Sequence, residues 1–360
     1  MSDRIFNFNP GPAALPLPVL QEAQQDFLNY KGEGLSVMEM SHRSKTYDGI
    51  IKGTEALMKE VMHIPDGYKV IFMQGGATLQ FAAVPLNLLP ADKSADYVNT
   101  GEWSKKAIAE AKKLGKKVNV IASSEDEQFS YIPKEIKVNR DAAYVHITSN
   151  NTIFGTQFSN YPETGKVPMI ADMSSDINCR RVDVSKFGLI YACAQKNMGP
   201  SGVTLVIIRE DLMNLSPENI PTMTSYKING GKESLYNTPP TFAIYIVKLV
   251  LEWIKREGGL KKLEEINMKK ARILYEAIDK TDFYRGTVKK DSRSIMNVVF
   301  RLPSEELEQK FIAEALKNGM LGLKGHRSVG GIRASIYNAV SLKAVETLVS
   351  FMAQFEKSNG

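Results

Sequence analysis

The chain has 360 residues, 43% of them apolar and 24% charged, which suits a folded protein with room for one large and one smaller domain and excludes disorder for its bulk. The formal charge of +6 is scattered. The lysine concentrations at 112–117 and 261–270 fall in helical patterns and read as solvated faces, so neither marks a nucleic-acid surface. Cys179 and Cys193 match neither a C-x-x-C pair nor a zinc spacing, so neither a disulfide framework nor a metal site is expected. The segment Met1–Asn7 lacks a charged-then-apolar leader pattern, and the apolar run 243–254 is broken by Lys248 and Glu252. A cytoplasmic setting outside any membrane is therefore expected.

In chain order, residues 1–16 carry Asn9-Pro10-Gly11-Pro12 and read as an irregular arm. Beyond residue 17, strand-like and helix-like runs alternate. Residues 69–73 form a strand, Gly75-Gly76 a turn, and 78–88 a helix. Residues 96–98 form a strand, and 104–114 a helix that Gly115 ends. Strands at 118–122, 143–148, 167–172, 189–194 and 203–209 bring the series to seven. This alternation predicts an α/β domain on a mostly parallel sheet. A helix containing Trp253 ends at Gly258-Gly259. After it come a Lys/Glu-rich helix (260–281), a strand (295–300), a helix (305–317), a Gly-rich turn, a strand (332–335) and a closing helix (342–355). The expected division is a large α/β domain over 17–257 and a smaller α+β domain made of 1–16 and 258–360.

Four local patterns bear on chemistry. Lys196 follows an apolar strand and precedes Asn197-Met198-Gly199-Pro200. A buried amine titrates below its usual range and becomes a nucleophile suited to imine formation with an aldehyde cofactor. The same pattern also fits a lysine reaching outward from the sheet. Asp172 ends a strand 24 residues earlier. Such an acid keeps a pyridine nitrogen protonated, or alternatively caps a helix through Asp-x-Ser-Ser. Gln74-Gly75-Gly76-Ala77-Thr78, between strand and helix, suits an anion on free backbone N–H groups, or is structural only. Trp103, just past a strand, is either a stacking platform or core.

Together with Asn7-Phe8-Asn9-Pro10-Gly11-Pro12, Met40-Ser41-His42-Arg43-Ser44, Asn237-Thr238-Pro239-Pro240 and the run from Gly325 to Ser335, these patterns resemble the phosphoserine aminotransferases. Those are fold-type I, class V enzymes that depend on pyridoxal 5'-phosphate, and the resemblance runs from about residue 5 to 355. It implies that Lys196 binds the cofactor aldehyde and that Asp172 pairs with the ring nitrogen. Trp103 would stack on the ring, Thr152 bond the phenolic oxygen, and Ala77, Thr78 and Gln195 hold the phosphate. Asn237 and Thr238 would reach that phosphate from the neighbouring subunit of a homodimer. Arg333 would clamp the substrate α-carboxylate. His42, Arg43, His326 and Arg327 would clamp the distal phosphate or carboxylate, with Ser41 able to add a hydroxyl. Some relatives carry an Arg in the Gly-rich turn where this chain has Thr78.

The implied reaction transfers the amino group of L-glutamate to 3-phosphohydroxypyruvate, a step of serine biosynthesis, and the related vitamin B6 step is also implied. Three alternatives are weighed. An alanine, serine or glyoxylate aminotransferase has no need of two His-Arg pairs. A cysteine desulfurase needs a thiol on a mobile loop, whereas Cys193 lies in the strand before Lys196. A non-catalytic relative would be expected to have lost Lys196 or Arg333.

Overall fold

The computed structural model describes residues 4–360. Met1, Ser2 and Asp3, counted above with the leader segment and the smaller domain, lie outside the described residues. Strand β1 (Phe6–Asn7) and helices α1 (Leu17–Gln25) and α2 (Lys45–Met62) come first. Ser44 caps α2 by accepting the Tyr47 N–H. The helix then buries Tyr47, Ile50, Ile51, Thr54, Met58, Val61 and Met62, the stripe that a 3.6-residue period produces.

The main sheet holds β2 (Tyr68–Met73), β3 (Ser94–Asn99), β4 (Lys117–Ser123), β5 (Val145–Thr148), β6 (Met169–Asp172), β7 (Leu189–Cys193) and β8 (Thr204–Arg209). Helices α3 (Gly76–Leu88) and α4 (Glu102–Lys113) join its first strands, and α5 (Glu210–Met213), α6 (Tyr226–Gly231) and α7 (Thr241–Arg256) follow β8. The strand order is β2-β8-β7-β6-β5-β3-β4. Strand β8 runs antiparallel to both its neighbours, and the remaining pairs are parallel.

Central strands such as Leu189–Cys193 are apolar throughout because both faces are covered. Side chains alternate, so Leu205 and Ile207 pack with α2 and α7 on one face. Val206 and Ile208 pack with α3 and α4 on the other. Edge strand β4 is correspondingly more exposed.

The rest of the chain comprises α8 (Gly259–Asp279), β9 (Arg285–Gly286), β10 (Asn297–Arg301), α9 (Glu305–Lys317), β11 (Met320–Leu321), β12 (Ile332–Ser335) and α10 (Leu342–Asn359). Strands β12, β10 and β9 form an antiparallel sheet, and the three helices bury Leu274, Phe311 and Leu348 in a separate core.

Two expectations need correction. The arm is not irregular throughout, because Phe6–Asn7 pairs in parallel with Met320–Leu321. That partner lies some 314 residues away, so no local pattern announces it. Nor is the lysine-rich stretch 261–270 uniformly solvated. Lys261, Lys262 and Lys269 are exposed, but Lys270 is fully buried.

Candidate active site

Parallel strands place their carboxyl ends along one edge, where open α/β sheets take their ligands. Thr148 and Asp172 are register partners at the ends of β5 and β6, and Asp172 also pairs with Tyr191 of β7. Lys196 lies three residues beyond β7, and Gly75-Gly76 follow β2. A cavity of about 410 Å³ opens along this edge. Its walls include nine of the residues singled out from the sequence: Ala77, Thr78, Trp103, Thr152, Asp172, Gln195, Lys196, His326 and Arg333.

The Lys196 ammonium donates to Thr152 Oγ1 at 2.7 Å and lies 6.0 Å from the centroid of the Trp103 ring. Burial lowers its pKa to about 8, only partly opposed by Asp172. About a tenth of the amine is thus unprotonated at pH 7, far more than for an ordinary lysine, and only that form attacks. Asp172 accepts the Ser174 N–H at 2.9 Å, and burial raises its pKa against that bond and against the charge of Lys196. A buried carboxylate so placed gains from a cationic donor in the cavity.

The N-terminus of α3 closes one side. Gly75 and Gly76 have positive φ (85° and 65°), which lets the chain turn sharply into the helix. The Ala77 N–H points at Cys193 Sγ, 3.0 Å away. Arg333 of β12, only 6% exposed, lines the same cavity. Its Nη1 donates to the Thr152 carbonyl at 3.3 Å, and its Nε has no partner. Burial lowers its pKa, and no carboxylate contributes to its charge environment among the described residues. A buried guanidinium in that condition is prepared for an anion. His326 donates to, or accepts from, Ser328 Oγ at 2.7 Å; burial and then the charges of Arg333 and Arg327 lower its pKa.

The remaining five singled-out residues do not line the cavity. Arg43, Asn237, Thr238 and Arg327 are exposed, and His42 is half-buried. The Thr238 carbonyl accepts from Gln74 Nε2 at 3.0 Å, which ties its loop to the Gly-rich turn. The cavity also has walls to which the sequence reading gave no role in the site, among them Thr148, Ser174, Cys193 and Gly11. Ser174 entered the sequence reading only as part of the Asp-x-Ser-Ser pattern in which Asp172 would cap a helix. Gly11 lies so near the Lys196 stem that a Cβ there would stand 3.2 Å from Lys196 Cγ.

These groups suit pyridoxal phosphate. Their chemistry would let the amine take the aldehyde, the buried acid the ring nitrogen, the hydroxyl the phenolic oxygen, the indole the ring and the helix N-terminus the phosphate. Trp103 Nε1 and Thr148 Oγ1 are buried polar atoms still without partners.

Comparison with known proteins agrees. The family model for class-V aminotransferases matches residues 5–348. A phosphoserine aminotransferase of Desulfatibacillum aliphaticivorans is 60% identical over the full length of both chains. The solved phosphoserine aminotransferase of Bacillus circulans subsp. alkalophilus is 53% identical, covers 100% of both chains and superposes with a TM-score of 0.98. A third, from Trichomonas vaginalis and solved with PLP bound, is 38% identical over 97% of this chain and all of its own, with a TM-score of 0.92. The chain belongs to the phosphoserine aminotransferases, within the class-V aminotransferase family.

Proposed function

We propose that this chain reversibly moves the amino group of L-glutamate to 3-phosphohydroxypyruvate, giving O-phospho-L-serine and 2-oxoglutarate. The observation that carries this reading is one cavity holding Lys196, Asp172 and the unpaired, buried Arg333. Pyridoxal 5'-phosphate is the cofactor; when bound it supplies the aldehyde carbon that links to an amine and a protonated ring that accepts electrons.

The residues of the chain do the rest. Lys196 holds the cofactor at rest. With the substrate amine in its place, Nζ would relay the proton from the donor Cα to the carbon that had carried the lysine, and in the opposite half from that carbon to the acceptor Cα. Asp172 keeps the ring nitrogen protonated, and Thr152 orients the phenolic oxygen. Arg333 takes the α-carboxylate through its planar fork. We assign the distal phosphate to His42, Arg43, His326 and Arg327, and the cofactor phosphate to Ala77, Thr78 and Gln195 with Asn237 and Thr238 of a second copy. The same chemistry suits 3-hydroxy-2-oxo-4-phosphooxybutanoate of the vitamin B6 route, whose phosphate and carboxylate need the same clamps.

A homodimer is part of this proposal. An apolar groove of about 940 Å³ includes Leu20, Phe27, Met38, Pro239, Phe242 and Ile246, and Leu28 on its rim is 80% exposed. Asn237 and Thr238 stand directly before Pro239, and Met38 is four residues before His42. A second copy covering the groove would bring these outlying groups to a cavity. We also retain the division into a large domain (17–257) and a small one (1–16 with 258–360), supported by the separate core around Phe311. No helix among the described residues is long and apolar enough to cross a membrane. A cytoplasmic setting is supported by Cys179 and Cys193, both free thiols.

The test is a pair of half-reactions. L-Glutamate should bleach the visible absorption of the cofactor–lysine linkage. 3-Phosphohydroxypyruvate should restore it with kcat/KM about 10- to 100-fold above that of unphosphorylated hydroxypyruvate, the worth of one or two charge-assisted hydrogen bonds. Equal use of the two keto acids would remove the phosphate clamp, and no response to glutamate would remove the transamination.

A further inference from the structure

Helix α8 contains a charged side chain with no accessible surface at all: Lys270 is 0% exposed. Its ammonium donates to the backbone carbonyls of Ile336, Tyr337 and Val340 at 2.9, 2.8 and 2.9 Å. Among the described residues no carboxylate shares its surroundings; the one titratable group that acts on it is the Cys179 thiol. Burial pushes its pKa down to about 7, and three carbonyl acceptors work against that by favouring the charged form. Three donors meet three acceptors, a match a neutral amine cannot reproduce. Were packing alone required, an apolar side chain would fill the space without the cost of burying a charge.

Asn267, one turn earlier on the same face and also fully buried, donates to the Cys179 carbonyl and to Asn338 Oδ1, both at 2.8 Å. The segment so clamped, 336–340, touches both flanks of the reactive lysine. The Asn338 N–H donates to Asn197 Oδ1 at 3.0 Å, and Asn197 directly follows Lys196. The Tyr337 hydroxyl donates to the Pro10 carbonyl at 2.9 Å, and Pro10 precedes the Gly11 that packs on the Lys196 side chain. The same segment continues from β12, which carries Arg333.

We propose that Lys270 is a positioning residue of the transamination site. By clamping Ile336–Val340 through three carbonyls, it holds Asn338 on the turn after Lys196 and Tyr337 on the arm against the Lys196 side chain. This rests on the reading that Lys196 is the reactive amine. Lys270 touches none of the groups that line the cavity and acts only through the segment.

The test uses full-length Lys270→Met, which keeps the length of the side chain but donates no hydrogen bond. Amide hydrogen exchange of the cofactor-free protein should quicken at 336–340 and also at 195–199, in the other part of the chain. In the loaded enzyme the pH midpoint of the cofactor–lysine absorption should move. The kcat should fall about 10- to 100-fold, the scale of a small misplacement of reacting groups. Faster exchange confined to 336–340, or lower thermal stability alone, with the absorption midpoint and kcat of the unmodified enzyme, would overturn the proposal. Should Lys270→Met fail to fold, Asn267→Leu cuts the second tie to the same segment and is read by the same two outcomes. Mapping the cofactor to a particular lysine in the unmodified enzyme reports separately on the underlying reading.

Discussion

Lys196 and Asp172 respond oppositely to one environment, since burial lowers the pKa of an amine and raises that of a carboxylate. For the cofactor-free protein, this sets the pH at which cofactor is taken up. The rate of linkage formation, followed by visible absorption, should rise through a midpoint near about 8, because only the unprotonated amine attacks. A midpoint in the ordinary lysine range would show that the amine is not desolvated. In the role proposed for Asp172, Asp172→Asn would remove the charge that keeps the ring nitrogen protonated, and should lower kcat about 10²- to 10³-fold, the usual scale for one lost electrostatic partner of a transition state. Arg333→Gln should raise the KM for glutamate about 10- to 100-fold, as loss of a charged hydrogen-bonding partner does. Lys196 and Asp172 were legible because strand ends are legible. His42 and Arg43 were visible as residues, but their place was not, since in one chain they lie outside the cavity. Lys270 escaped notice because a lysine among lysines on an amphipathic helix looks solvated, and only its three distant carbonyls show otherwise.

Turns at the ends of elements set the spacing between these groups. Gly101, with φ of 148°, leads from β3 into α4 and so positions Trp103. A Cβ at this position would overlap Asn151 Nδ2, the donor to the Thr100 carbonyl, while Asn151 Oδ1 receives the Ile153 and Phe154 N–H groups at 3.0 and 3.2 Å. One asparagine thus joins the turn bearing the indole to the turn bearing Thr152. Gly101→Ala should destabilise the fold by about 1–3 kcal/mol, the cost of overpacking a tight site. It should also weaken cofactor binding, and a titration of cofactor-free protein by Trp fluorescence would register this. Unchanged affinity would show that the two turns do not act together. All seven sheet strands were expected within two residues at each end, because apolar runs between turn residues mark them well. The direction of β8 was not legible, for pairing polarity depends on which neighbour a strand finds rather than on its own composition. The pairing of Phe6–Asn7 escaped for the same reason.

At the scale of the molecule, the proposed second copy would cover the exposed groove and bring the outlying Asn237 and Thr238 to a cavity. Leu28→Asp places a charge on the rim of that groove and should shift the protein from dimer to monomer in sedimentation, with loss of bound cofactor in the monomer. Full cofactor retention by a monomeric variant would remove the second copy's share in the site. Whether the site works as described depends first on which amine carries the cofactor. Borohydride reduction of the loaded enzyme, followed by proteolysis and mass mapping, fixes the cofactor at its point of attachment. The expected result is a single modified peptide with the pyridoxyl group on Lys196, absent when excess glutamate is added first. A modified peptide that instead carries the group on any other lysine would contradict the account at its root.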